Sequence, residues 1–210
     1  MHSMVMLSSW ALAMYFKFEL AIFFGAVLSF VMLFLKTTKW LFTWANAITT
    51  VRFVLIAIAI GLADNLSYEQ LFVMLGIAVL LDVADGFLAR KLKESSALGL
   101  HYDMEVDAFF VLIMGVYFFI SRDVPFWILV PGLLRYLYTT MMALWPKQSF
   151  SESKQKYAST IAGVFFVILL LAIIMAGPIQ LIMLAIGSAL IMLSFGKSFY
   201  DYFSFKGAVN

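Results

Sequence analysis

Between residues 82 and 107 the chain places four aspartates, Asp82, Asp85, Asp103 and Asp107, within strongly apolar sequence. On insertion scales an Asp at the centre of a membrane helix costs roughly 2.5–3.5 kcal/mol. Four left unpaired would cost about 10 kcal/mol. A fold that keeps them must therefore set something cationic among them. The surroundings identify the solvent: of 210 residues 64% are hydrophobic and 12% charged, and mean hydropathy is +1.01. That balance belongs to a membrane protein.

The spacing indicates how the carboxylates meet. Asp82 and Asp85 are three residues apart and Asp103 and Asp107 four apart, so each pair shares one helix face. The polar run Arg90–Gly99 between them reads as a turn at the membrane surface. In an antiparallel hairpin centred between Glu94 and Ser95, Asp82 lies opposite Asp107, and Asp85 opposite Asp103 within one residue. At ~1.5 Å rise per residue both pairs reach the same depth. An all-oxygen set favours hard cations, Mg²⁺ first, with Mn²⁺ and Ca²⁺ also compatible. Four carboxylates exceed what one Mg²⁺ usually takes from protein, which points to two ions.

Other chemistries are excluded or unsupported. Cysteine is absent, which removes disulfides, thiol catalysis and Cys-ligated metals. No basic run suits nucleic acid. The start, MHSMVMLSSW, lacks the basic region of a secretory signal peptide, and no cleavage is expected there.

Hydropathy divides the chain into an N-terminal hydrophobic segment (1–39) and a six-span domain (40–210). Residues 10–35, interrupted by Lys17 and Glu19, are expected to form an extra helix crossing the membrane. The six spans follow at about 44–63, 68–88, 98–120, 125–145, 157–176 and 179–195. The expected fold is thus an all-α transmembrane bundle of six helices plus one. Gly-x-x-x-Gly pairs are absent, and Ala158, Ser159, Ala162 and Gly163 offer a small-residue helix contact instead. With the 82–107 turn inside, inner segments hold Lys36, Lys39, Arg90, Lys91, Lys93, Lys147, Lys154, Lys156, Lys197 and Lys206, and the outer core loops only Arg122. By the positive-inside rule the aspartates face the cytoplasm.

The pattern Asp82-x₂-Asp85-Gly86-x₂-Ala89-Arg90-x₈-Gly99-x₃-Asp103-x₃-Asp107 resembles the signature of the CDP-alcohol phosphotransferases, with all eight fixed identities present. Upstream, Asn46-x-Ile48-Thr49-x₂-Arg52 is similar to the family's PNxLTxxR segment, with Ala45 in place of proline. The resemblance implies an integral membrane enzyme of phospholipid synthesis, in a bacterial-type inner or plasma membrane and a homodimer. It would transfer a substituted phosphate from a CDP-linked donor such as CDP-diacylglycerol to a small alcohol and release CMP. It implies two Mg²⁺ (or Mn²⁺) ions on Asp82, Asp85, Asp103 and Asp107, with Asp107 also the base. Asn46, Thr49, Gly86, Arg90, Ser96 and Gly99 would border the CDP moiety.

Several residues have plainer readings. Asn46 and Thr49 also suit a helix cap, and Gly86 a packing contact. Arg52 must be paired, with an active-site carboxylate or with a backbone or lipid phosphate. His101 reads as interfacial rather than a ligand. Glu105, two residues from each of Asp103 and Asp107, points to another face and stands outside the site. Arg135, mid-span with no acid on its own helix, reads as a phosphate receptor. With Lys154 and Lys156, in a segment similar to the GKxKT of phosphatidylglycerophosphate synthases, it would bind a phosphorylated acceptor. Against that, Asp103–Ala108 lacks the proline and lysine of those enzymes' DPxADK. Serine, choline or a lipid alcohol are the unphosphorylated alternatives. An ion transporter would place its carboxylates near the midplane, whereas these lie a few turns from the surface. A non-catalytic scaffold has no use for the complete aspartate set.

Overall fold

A computed structural model describes residues 6, 8, 44–92, 97–145 and 156–204. The expected helix at 10–35 therefore lies outside the described residues, as do Ser96 and Lys154 and the side chains of Asp85, Arg90 and Lys156. Every regular element among the described residues is helical: α1 (Trp44–Gly61), α2 (Tyr68–Leu92), α3 (Ala97–Ser121), α4 (Val130–Leu144), α5 (Lys156–Ile174) and α6 (Gly177–Ser204), with short 3-10 turns at Ala63–Asn65 and Phe126–Leu129.

These helices are apolar on most of their surface, which a helix tolerates only in a protein core or in lipid. Large apolar side chains such as Leu80, Val83, Phe126 and Leu193 point outward, each at least two-thirds exposed. Gly99–Ser121, Phe126–Leu144 and Gly177–Ser204 are long and apolar enough to cross a membrane. The apolar helices Asn46–Gly61 and Ala158–Ile174 are shorter. An 18-residue helix such as α1 is about 27 Å long, just short of the hydrocarbon thickness.

Local sequence sets several boundaries. Ser67 and Gln70 form a capping box before α2: Gln70 N–H donates to Ser67 Oγ (3.3 Å) and Ser67 N–H to Gln70 Oε1 (2.9 Å). The span expected from Pro125 as one helix instead begins with the 3-10 turn, and Pro131 then fits the first turn of α4. Gly177 stands at φ +66, a backbone that favours glycine, and separates α5 from α6. Arg122 closes the end of the bundle where α3 and α5 finish. Its guanidinium donates to the carbonyls of Ile173 (3.1 Å) and Met175 (2.6 Å) at the end of α5 and stacks 4.4 Å over the Tyr68 ring.

The strongest contacts run α1–α2–α5–α6–α4–α3 and back to α1, so the six helices close a ring. Helix α3 is the most deeply enclosed: Tyr102, Val106, Phe109, Leu112, Met114 and Phe118 are all buried. Of the small residues Ala158, Ser159, Ala162 and Gly163, Ala158 and Ala162 are half-buried, whereas Ser159 and Gly163 are exposed and nothing lies within 4 Å of a Cβ built at Gly163. The close approaches occur elsewhere, Gly115 on Ile128, Gly132 on Leu112 and Gly187 on Phe165. A small residue becomes a contact only where a neighbouring helix arrives.

Candidate active site

Helix α1 presents Asn46, Thr49, Arg52, Phe53 and Ile56 on one buried face, at the three- and four-residue steps of a helix. This face meets α2 and α3. Thr50 Oγ1 donates to the Asn46 carbonyl (2.8 Å) and lies 3.0 Å from the Tyr102 hydroxyl, and the Phe53 ring packs on Phe109 with centroids 5.0 Å apart. Those contacts fix α1 against α3 on either side of Arg52.

Arg52 reaches across to the aspartates. Nη1 donates to Asp82 Oδ1 on α2, and Nη2 donates to Asp103 Oδ1 (3.1 Å) and Asp107 Oδ1 (2.8 Å) on α3. The Arg52 side chain is 3% exposed, while those of Asp82, Asp103 and Asp107 are 28%, 25% and 29% exposed. Of the two readings the sequence left open for Arg52, the carboxylate partner is the one formed. Carboxylate oxygens of Asp82, Asp103 and Asp107 all lie within 4.8 Å of one another.

That set fits a hard divalent cation. The donors are oxygens only, they converge from two helices, they keep a partly open side, and they already balance one positive charge. Asp82 on α2 and Asp103 and Asp107 on α3 thus meet across the helix pair as their spacing predicts. Asp85 stands one turn beyond Asp82 on α2, with Gly86 beside it. Gly99 stands in the first turn of α3, below Asp103.

Arg135 has Glu105 as its carboxylate partner among the described residues. It is 7% exposed, and its Nη2 lies 3.6 Å from Glu105 Oε1. Glu105 is 1% exposed and also has His101 Nε2 at 3.7 Å. A phosphate is therefore not needed to balance Arg135, because an acid on another helix stands beside it. Two residues along α3 turn the side chain by about 200°, so Glu105 faces α4 while Asp103 and Asp107 face α1 and α2. That other face is where Arg135 packs. His101 is half exposed, as an interfacial residue should be. Tyr102, whose hydroxyl meets Thr50 beside the cluster, was not singled out in the sequence; its signal was a phenol next to an intramembrane aspartate.

A buried ion pair between helices makes its own prediction. Glu105→Leu leaves the Arg135 charge buried and should cost about 3–5 kcal/mol, whereas Glu105→Leu with Arg135→Met should recover most of that loss. Thermal unfolding of the three detergent-purified proteins would measure it, and equal melting of single and double variants would rule out a pair that matters.

The fold and site together define a helical membrane protein with an acidic cluster, able to hold a cation, at the meeting of three helices. The family model of the CDP-alcohol phosphatidyltransferases matches residues 42–193, and the chain belongs to that family. No curated protein and no solved structure gave a significant match. As a member, the protein is a membrane-integral transferase of phosphate-containing groups, acting on CDP-alcohols with an alcohol acceptor.

Proposed function

We propose that the protein transfers a phosphatidyl group from CDP-diacylglycerol to a small alcohol, releasing CMP. The observation that supports this best is the convergence of Asp82, Asp103 and Asp107 around a single positive charge, within a family of CDP-alcohol enzymes. In this reading Asp82, Asp85, Asp103 and Asp107 hold two divalent cations, Mg²⁺ or Mn²⁺. When bound, such ions neutralise a diphosphate and stabilise its leaving oxygen.

The protein's own groups do the rest. Asn46, Thr49, Gly86, Arg90, Ser96 and Gly99 border the cytidine diphosphate and hold it in line. Asp107 takes the proton of the acceptor hydroxyl as the alcohol oxygen bonds to the lipid-bearing phosphorus. The bond from that phosphorus to the bridging oxygen breaks, and CMP leaves with the electron pair. The site faces the cytoplasm of a bacterial-type membrane, and the enzyme acts as a homodimer.

The acceptor divides into two readings. A phosphorylated small alcohol would be held by Arg135 with Lys154 and Lys156. The Glu105 carboxylate, 3.6 Å from Arg135, favours the second reading, an unphosphorylated alcohol, because the Arg135 charge is already balanced. Purified protein, CDP-diacylglycerol, Mg²⁺ and a panel of radiolabelled alcohols test both. CMP release should require an alcohol and Mg²⁺. If glycerol 3-phosphate or inositol 1-phosphate is used, Arg135→Ala should raise the acceptor KM far more than the donor KM. If serine or choline is used, the two should move alike. Absence of CMP release with every alcohol would sink the phosphotransferase reading.

A further inference from the structure

We propose that Arg52 is the aspartate cluster's resident counter-cation, and that divalent metal and Arg52 compete for the same carboxylates. The inference rests on the reading of the cluster as the metal site and concerns what sets its affinity. One guanidinium reaches Asp82 Oδ1, Asp103 Oδ1 at 3.1 Å and Asp107 Oδ1 at 2.8 Å. Those three residues supply the oxygens that a metal would share, within 4.8 Å of one another. A divalent ion seated among them would lie close to the buried guanidinium, with like charges facing each other.

The direction of approach differs for the two cations. Arg52 comes from the protein side, 3% exposed, while the carboxylates are about a quarter exposed on their open side. Metal arrives from the open side and withdraws the carboxylate charge that holds Arg52. Charge arithmetic gives the consequence. The four aspartates carry −4, two divalent ions supply +4, and Arg52 is then one positive charge in excess. An anionic ligand beside the metals restores the balance, and a nucleoside diphosphate is such a ligand. Arg52 therefore exchanges carboxylate for phosphate oxygen as the site loads, which couples metal binding to nucleotide binding. Before loading, the same side chain ties α1 to α2 and α3 and removes the cost of naked carboxylates in the membrane.

A purely supporting Arg52 makes the opposite prediction. Residues that orient metal ligands typically lower metal affinity roughly 10–100-fold when removed. Competition predicts tighter binding. The experiment measures the Kd of Mn²⁺ by the electron paramagnetic resonance of the free ion, on the full chain in detergent, with and without CDP. Arg52→Met should bind Mn²⁺ about tenfold more tightly than the unmodified protein, the size expected for losing one nearby like charge. Arg52→Lys, which keeps the charge but cannot bridge three carboxylates, should show a smaller tightening. CDP should tighten Mn²⁺ binding in the unmodified protein and do so far less in Arg52→Met. Metal-free Arg52→Met should melt lower than the unmodified protein, and saturating Mn²⁺ should close the gap. Folded Arg52→Met or Arg52→Lys with unchanged or weaker Mn²⁺ affinity would overturn the inference, and Arg52→Lys decides alone if the methionine variant does not fold. Failure of the unmodified protein to bind Mn²⁺ at all would instead refute the metal site itself.

Discussion

Purified Asp103→Asn protein is expected to fold and to lose about 10²–10³-fold in kcat/KM, the scale of removing one preorganised group that stabilises charge in the transition state. Asparagine matches aspartate in shape and keeps an oxygen that can accept from Arg52 Nη2, a contact of 3.1 Å in the unmodified protein. The helix contact therefore survives while the negative charge that would bind metal does not. Asp82→Asn should behave alike from the α2 side. Asp107→Asn should be at least as severe, since it would remove a ligand and the base together. Chelation of the unmodified enzyme with EDTA should reproduce the loss, and added Mg²⁺ should reverse it. Single-turnover release of CMP, with thermal unfolding as the control for folding, measures all of these. Unimpaired turnover in EDTA, or in any of the three variants, would contradict the assignment.

The site was legible in the sequence because its logic is periodic. Steps of three and four residues put each aspartate pair on one face, and symmetry about the turn put the pairs at one depth. The structure brings Asp82, Asp103 and Asp107 together accordingly. The helix ends were less legible, for a physical reason. Hydropathy reports where the membrane stops, not where the helix stops. Helix α2 was expected to end near Leu88 and runs to Leu92, through Arg90 and Lys91; α6 was expected to end near Phe195 and runs to Ser204. Charged residues at the interface continue a helix readily, because their side chains reach water while the backbone stays paired.

Partner choice was the illegible part. Periodicity assigns a residue to a face of its own helix but does not say which helix arrives there. The spacing sets Glu105 apart from Asp103 and Asp107, and Arg135, with no acid on its own helix, needs a partner on another. Neither observation could join the two, because the pairing depends on α3 and α4 lying side by side in the ring. Arg52 shows the converse: its buried, apolar surroundings demanded a partner, and the nearest acids by topology were the aspartates themselves.

The closeness of α3 and α4 makes the second large effect. A Cβ built at Gly132 would stand 2.5 Å from Leu112 Cα and 2.9 Å from Leu112 N. Both are backbone atoms of a helix, so no side-chain rotation relieves the overlap. One neighbouring notch makes the crossing rigid: a Cβ at Gly115 would lie 2.9 Å from the Ile128 carbonyl oxygen. Gly132→Ala must therefore push α4 off α3, at a cost of about 3 kcal/mol or more, the upper end of overpacking. That shift also pulls Arg135, one turn along α4, away from Glu105, and loosens the hold on the rotation of α3 that aims Asp103 and Asp107 at Arg52. Gly163→Ala supplies the contrast within the same protein. Nothing lies within 4 Å of its built Cβ, and alanine is the better helix former by roughly 0.5–1 kcal/mol. Thermal unfolding in detergent should thus move in opposite directions for the two substitutions, a large fall for Gly132→Ala and a small rise for Gly163→Ala. Gly132→Ala should also weaken Mn²⁺ binding at temperatures where it remains folded. A Gly132→Ala protein that melts with the unmodified one would mean that α3 and α4 do not cross through these glycines.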